Sequence, residues 1–334
     1  MLENKLDICL ITYNRSKFVY DTLVQFVNSP FKNCRITVLD NCSTDNTNVI
    51  CCKFTNSFKN FRYIKNKFNI SGDANYLRAI EVSDKLYTWV ICDDDFYDFS
   101  DCNDVIEAID SEKYDIISVG SDAQYDWERG LITTPKELID KKARFFSSYT
   151  YFPSMIIKNR LFDSECAIKA FKTLGDYAPN FPFLYKAYEN NFSIFTSKKN
   201  IVLHNVGDFL TISRLSWFTG WVNNCSNFIK EENLKRDTIT KIWERGSLLK
   251  FLILAIMLEK ITANKDHSID KNDLFKKLAL IFLGFTWDQK IMMLFALPFC
   301  FVPSFFYLHL YNLYNYICLR FFGKKNKNYL NFEQ

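Results

Sequence analysis

The sequence predicts an α/β fold, with a mostly parallel, doubly wound sheet flanked by helices and a helical C-terminal region after it. Three observations carry this. Short apolar runs alternate with helix-period segments at the ~30-residue spacing of a strand–helix–strand unit. The runs are nearly continuous in apolar character, as in strands buried on both faces. Each ends in a polar loop, and in open α/β sheets ligands gather beyond the carboxyl ends of the strands.

The first run is Leu6–Thr12, closed by Thr12-Tyr13-Asn14-Arg15. Ser16 is positioned to cap the next helix, in which Phe18, Val19, Leu23, Phe26 and Val27 recur at helical spacing. Ser29-Pro30 ends it. Arg35–Leu39 reads as the second strand and delivers Asp40, Asn41, Ser43 and Asp45 at its end. Turn formation is the plain alternative for Asp40. Asp45 suits helix capping, because Val49 and Ile50 open a helix soon afterwards. Phe61–Ile64 is the third strand, Asn69–Asn75 a turn, and a helix runs through Leu77, Ile80 and Val82.

The fourth strand, Trp89–Ile91, ends in Asp93-Asp94-Asp95. Adjacent carboxylates repel, so a fold keeps three together only where a cation or hydrogen-bond donors compensate. Their oxygens suit a hard divalent ion, magnesium or manganese, of the kind that sits between carboxylates and a ligand's phosphates. A solvated acidic loop or a helix N-terminus is the competing reading.

At 334 residues the chain suffices for one large domain or two small ones. A net charge of +4 gives no strong field for nucleic acid, so no nucleic-acid partner is expected. Eleven scattered cysteines form no CxxC pair and suit buried, reduced thiols. No basic-then-apolar leader opens the sequence, and a cytosolic chain is expected.

The four loops, in this order and spacing, resemble glycosyltransferase family 2, sugar-nucleotide-dependent enzymes of the GT-A fold. Thr12-Tyr13-Asn14-Arg15 looks like the family's first loop. Asp40-Asn41-Cys42-Ser43-Thr44-Asp45-Asn46-Thr47 is similar to its D-[DN]-x-S-x-D-x-T segment, Asn69–Asn75 to its N-x-G-x-x-x-N turn, and Cys92-Asp93-Asp94-Asp95 to its DXD-type motif. Asn41, the helix start at Ala74–Ala79 and the triple Asp resemble the abequosyltransferase-like branch. The resemblance covers roughly residues 6–120. Three departures stand out: Asn41 where many relatives carry Asp, Ser71 at the usual glycine position, and Ala74 in place of an arginine.

This resemblance implies a nucleotide-sugar donor lined by Thr12, Tyr13, Asn14 and Arg15. Asp40 and Asn41 would flank the base, Asp93 the ribose, and Asp94 and Asp95 a manganese or magnesium ion on the diphosphate. Asn75 and Arg78 join the nucleotide-binding set, Arg78 as a phosphate contact; a solvated helix face is the plainer reading of Arg78. The implied reaction is an inverting transfer to a glycan acceptor, commonly lipid-linked, in bacterial surface-polysaccharide assembly such as O-antigen, capsule or lipooligosaccharide. Such a transfer needs a carboxylate as general base. Asp176, in Leu174-Gly175-Asp176-Tyr177, is the first candidate, with Asp122 and Asp126 as substitutes and a helix N-cap as its structural alternative.

In the following half, Tyr114–Val119 reads as a strand, and the aromatic stretch Phe145–Ile157 suits either core or a sugar-binding face. His204-Asn205-Val206-Gly207-Asp208 lies where the family often has a loop closing over the diphosphate, with a satisfied structural histidine as the plainer reading of His204; Trp217 and Trp221 would share a helix face, packed in the core or, second, lining an acceptor groove. The expected domains are residues 1–215, divided into nucleotide-sugar (1–120) and acceptor (121–215) halves, and a helical region 216–334. Leu248–Leu258 reads as an apolar helix. Ile291–Leu319 contains no Asp, Glu, Lys or Arg, yet prolines and polar residues interrupt it, so helices lying in a membrane interface fit better than a clean span. Arg320, Lys324, Lys325 and Lys327 follow and suit anionic headgroups, which would hold the chain at the cytoplasmic face of the inner membrane. A buried helical subdomain or dimer interface is the alternative. Two rival functions remain: a non-catalytic nucleotide-sugar binder or scaffold, and a sugar nucleotidyltransferase. The second usually carries a glycine-rich first loop, and this one has no glycine.

Overall fold

A computed structural model of the chain describes residues 2–122, 129–140, 145–204, 214–240, 248–249, 252–253, 255–257, 259, 271–302 and 306. The chain divides into two compact units, Met1–Asn205 and Val206–Gln334.

The first unit opens with β1 (Leu6–Thr12), α1 (Ser16–Val27), β2 (Arg35–Asp40), α2 (Thr47–Phe54), β3 (Asn60–Lys65), α3 (Gly72–Glu81) and β4 (Tyr87–Cys92). It continues through β5 (Phe96–Tyr97), α4 (Asn103–Ser111), β6 (Ile116–Ser118), β7 (Ile132–Thr133), α5 (Pro135–Asp140) and α6 (Phe145–Tyr149). It closes with β8 (Met155–Lys158), α7 (Ser164–Lys172), α8 (Phe181–Glu189), β9 (Ile194–Thr196) and β10 (Val202–Leu203).

Eight strands form one sheet in the order β3-β2-β1-β4-β8-β6-β9-β7. β1 to β4 are mutually parallel, β8 enters antiparallel between β4 and β6, and β6 runs parallel to β9. β5 and β10 pair in a separate antiparallel ribbon. This mostly parallel sheet with flanking helices is the GT-A architecture expected from the sequence.

The register positions the site. Thr12 of β1 pairs with Asp40 of β2, Asp40 with Lys65 of β3, and Ile11 with Cys92 of β4. The four polar loops therefore leave the sheet level with one another, along a single edge. Beneath them the core is strongly aromatic. Trp89 on β4 meets Phe26, Phe31 and Tyr97 edge-on, at ring separations of 5.8, 5.7 and 5.9 Å. Its indole N–H donates to the Pro153 carbonyl at 2.7 Å, satisfying the polar atom that such a buried ring carries.

One core residue runs against the apolar pattern. Asp7, fully buried in β1, accepts hydrogen bonds from Arg35 Nε at 2.8 Å and Thr37 Oγ1 at 2.9 Å on the neighbouring strand. The anion is tolerated because charge and hydrogen bonds meet it there.

The second unit is helical: α9 (Arg214–Phe228), α10 (Glu232–Thr240), helical residues between 248 and 259, α11 (Lys271–Gly284) and α12 (Trp287–Ala296), followed by a 3-10 turn, Leu297–Phe301. Within the stretch read as an apolar helix, Leu248, Leu252, Ala255 and Ile256 are helical and buried. Trp221 is buried in the core, and the half-buried Trp217 stacks on it at 6.4 Å between rings. Gly284 ends α11 against α9: a Cβ there would lie 2.5 Å from Val222 Cγ1, and the Ser226 hydroxyl donates to the Gly284 carbonyl at 3.0 Å. No helix of the described residues is long and apolar enough to cross a membrane. Most of the apolar run after Val302, and the basic residues Arg320, Lys324, Lys325 and Lys327, lie outside the described residues.

No disulfide joins the described cysteines, and Cys9, Cys34, Cys51, Cys102, Cys166 and Cys225 are buried thiols.

Candidate active site

The aspartate run at the end of β4 turns toward the loop after β1. Asp93, 5% exposed, accepts a 2.6 Å hydrogen bond from the Thr12 hydroxyl and a 3.2 Å bond from Arg15 Nη1. Thr22 Oγ1, from α1, donates to the Asp93 carbonyl at 2.8 Å. Burial drives the Asp93 carboxyl up to about 6, against the lowering pull of Thr12 and Arg15 and with the Asp94 charge adding to the rise. Asp94 takes the same Arg15 Nη1 at 2.6 Å. Asp95 is buried beside the phenol of Tyr151, and desolvation together with the Asp95 charge pushes that phenol far up. Tyr151 in turn packs edge-on against His204, at 4.9 Å between rings.

Cys92 Sγ and one carboxylate oxygen each from Asp94 and Asp95 lie within 4.8 Å of one another. Burial and the three neighbouring carboxylates hold the Cys92 thiol well above its ordinary range, and a soft sulfur donor does not suit a hard cation. The two carboxylates remain, and they fit a hard oxygen-seeking cation such as manganese or magnesium.

The first two loops are sewn together. The Asn14 N–H donates to Ser43 Oγ at 2.8 Å, and Asn14 Oδ1 accepts from the Thr44 N–H at 2.7 Å. Asp40, fully buried, accepts from the Ser43 N–H at 2.7 Å and from the Tyr63 hydroxyl at 2.5 Å, the turn-forming role that is the plain alternative to a base contact. Lys65 Nζ donates to the Ser43 carbonyl at 2.6 Å. Tyr13 is left exposed between them. Three of the four loops hold a non-glycine residue in the left-handed region: Asn14 (φ 53°), Cys42 (φ 70°) and Ser71 (φ 76°). Such conformations are retained where surrounding bonds over-determine them, and they gather at ligand sites.

Ser16 does not cap α1. It is the first helical residue, Arg15 stands at the cap without a side-chain bond, and the Ser16 N–H donates to Asp45 Oδ2 at 2.9 Å. Asp45 Oδ1 accepts from the Thr47 N–H at 3.0 Å, so one carboxylate serves the N-termini of both α1 and α2. The hydrogen bonds from Thr47 and Ser16 outweigh the burial penalty and keep it below the usual carboxylate range.

Asn41 uses all of its side chain inside the protein. Its Nδ2 donates to Asn69 Oδ1 at 2.9 Å and to the Ser71 carbonyl at 3.1 Å, while its Oδ1 accepts from Asn66 Nδ2 at 3.1 Å and the Ile70 N–H at 2.9 Å. Asn75 acts likewise, donating to the Leu39 carbonyl at 3.1 Å and accepting from Asn66 at 2.8 Å. Both amides shape the third loop. Arg78 is half-buried, and its Nε has no hydrogen-bond partner among the described residues.

The base candidates differ in setting. Asp176 is half-buried in a turn, and the cap of α8 is Asn180, so Asp176 is not that helix's N-cap. Its turn is tied to the third loop: Asp73, on the first turn of α3, accepts from the Gly175 N–H at 3.0 Å and from the Tyr177 backbone. Burial raises the Asp73 carboxyl, with those two bonds partly offsetting it. Asp122 Oδ1 accepts from the His204 N–H at 2.7 Å, a bond that holds the β10 strand end. Asp126, with Tyr125, Trp127 and residues 205–208, lies outside the described residues. Sequence reading missed Thr22, Tyr151 and Asp73. Only Tyr151 left a signal, as one of the tyrosines in the aromatic stretch.

The fold and this rim define a GT-A architecture whose strand-end loops converge on an acidic run. The sequence model described as Glycosyl transferase family 2 matches residues 7–171, just under half of the chain. The chain is 30% identical over 95 residues to abequosyltransferase RfbV of Salmonella typhimurium, a match spanning 27% of this chain and 28% of that protein. Among solved structures, S. aureus TarS 1-349 in complex with UDP-GlcNAc superposes with a TM-score of 0.52 at 17% identity, covering 83% of this chain and 84% of that one. The mannosyltransferase PcManGT from Pyrobaculum calidifontis, in complex with GDP-Man and Mn2+, gives 0.51 at 11% identity, with 93% and 87% covered. These two likenesses are likenesses of fold.

Proposed function

We propose that the chain is an inverting glycosyltransferase that moves a sugar from a nucleotide-diphosphate donor to a glycan acceptor. The observation that carries this is the convergence of Thr12, Arg15, Asp93 and Asp94 at the shared edge of β1 and β4, in the segment that the family 2 model matches. Thr12–Arg15, Asp40, Asn41, Asn75 and Arg78 would frame the nucleotide, the buried amides by setting the loop shape, and Asp93 would face the ribose. Asp94 and Asp95 would hold manganese or magnesium. When bound, that ion supplies positive charge against the departing diphosphate. Arg15, released from Asp94, would add a second positive charge there. In the transfer the bond from the anomeric carbon to the diphosphate oxygen breaks as the acceptor oxygen bonds from the opposite face. The acceptor's hydroxyl proton passes to a carboxylate, for which Asp176 is the candidate.

A lipid-linked acceptor of bacterial surface polysaccharide, met at the cytoplasmic membrane face, is the finer reading. It is supported by the apolar, then basic, C-terminal sequence and by the resemblance to an abequosyltransferase. The test is thermal stabilisation by a panel of nucleotide sugars, with and without manganese. A cation-dependent rise with one donor, lost in Asp94→Asn and in Asp95→Asn while circular dichroism is unchanged, is the expected outcome. No stabilisation by any donor, or full stabilisation in both variants, overturns the assignment.

A further inference from the structure

In the second unit, α12 is built inside out. Its inward face buries Gln289, Met293 and Ala296, and the Gln289 amide donates to the Arg236 carbonyl at 3.2 Å and to Thr240 Oγ1 at 3.1 Å. Its outward face carries Trp287, Ile291, Leu294 and Phe295, spaced as one helical stripe, with Trp287 77% and Phe295 66% exposed. Leu283 before it and Phe301 after it are 73% and 74% exposed. Ordinary surface helices do the reverse, and a contiguous apolar stripe left in water marks an interaction surface.

The charge pattern selects the occupant. Lys290 Nζ lies over the Trp287 ring, 5.0 Å from its centre, so a cation rims the stripe as in helices seated at lipid headgroups. In the sequence no Asp or Glu occurs between Asp288 and Glu333, whereas Lys290, Arg320, Lys324, Lys325 and Lys327 do. An apolar stripe followed by an acid-free basic segment complements an anionic lipid surface. A helix of 10 residues extends only ~15 Å, half the hydrocarbon thickness, so it lies in the interface and does not cross it.

We infer that the outward face of α12, continued by Leu283 and Phe301, is a membrane-insertion ridge for anionic bilayers. This rests on the membrane reading above and assigns it to particular residues. The test is flotation of the full chain with vesicles of phosphatidylcholine alone or mixed with phosphatidylglycerol, together with light scattering. Wild type floats with the mixed vesicles, and Ile291→Glu with Phe295→Glu lowers partitioning ~10-fold or more, since two apolar side chains no longer transfer. Both positions are exposed, so folding and donor-induced thermal stabilisation stay as in wild type. Undiminished flotation of the double variant overturns the inference, as does wild type that ignores both vesicles. A wild-type dimer that the double variant splits also overturns it, because a second copy then covers the stripe. Loss of donor stabilisation in wild type would sink the transferase reading alone and leave the flotation result standing.

Discussion

Arg15 Nη1 lies 2.6 Å from Asp94 Oδ2, and the same nitrogen is 3.2 Å from Asp93 Oδ1. One guanidinium thus supplies part of the positive charge that the aspartate run requires. A divalent ion on Asp94 and this guanidinium neutralise the same carboxylate and compete for it. Arg15→Gln should therefore tighten manganese binding without nucleotide by ~10-fold and weaken nucleotide-sugar binding. Electron paramagnetic resonance of free manganese reads the first effect and calorimetry the second. Unchanged manganese affinity would show that the ion does not use Asp94.

Asp176→Asn should lower transfer to acceptor by ~100-fold or more while leaving donor-induced stabilisation intact, because a general base acts on the acceptor proton and not on the nucleotide. Asp122→Asn should leave transfer near wild type, since its carboxylate is occupied with the His204 backbone. Single-turnover assays with a soluble acceptor distinguish them, and the opposite ranking would move the base to Asp122.

Asn41→Asp should destabilise the first unit by about 2 kcal/mol. The amide donates two hydrogen bonds that a carboxylate cannot, and an anion there would face the Asn69 oxygen and the Ser71 carbonyl. Urea unfolding measures this, and a variant as stable as wild type would mean that the third loop rearranges freely.

Asp93 makes stability depend on pH. Its folded carboxyl titrates near 6, above the ordinary 3.8, so between those values the native state binds more protons than the unfolded chain. Stability from this group is fully present below 3.8 and is lost as pH rises through about 6. The melting temperature of Asp93→Asn relative to wild type should therefore climb from pH 4 toward about 7 and then level off. A difference flat across that window would place the titration elsewhere.

Much of the donor half was legible because its signals are local. β1 to β4 are short apolar runs, and each rim loop follows directly from the strand before it. The aspartate run could be read as needing a cation, and Arg15 meets part of that need. Other features depend on partners distant in sequence. Nothing in Met155–Lys158 says that this strand inserts antiparallel between β4 and β6. Asp7 stands inside the first apolar run, and its reason lies in Arg35 and Thr37 on the neighbouring strand. Ser16 had the right chemistry for a cap, but Asp45, 29 positions away, reached its N–H instead. Asn41 stood out only as a departure, and its reason appears when four partners from the third loop surround it.

Asp73 belongs to the helix that the third loop begins, and it also grips the backbone of the turn bearing Asp176. These two segments, a hundred positions apart, cannot shift separately without rupturing that grip. Whatever reshapes the third loop also re-aims the turn that bears Asp176, so the two behave as one yoked adjustment.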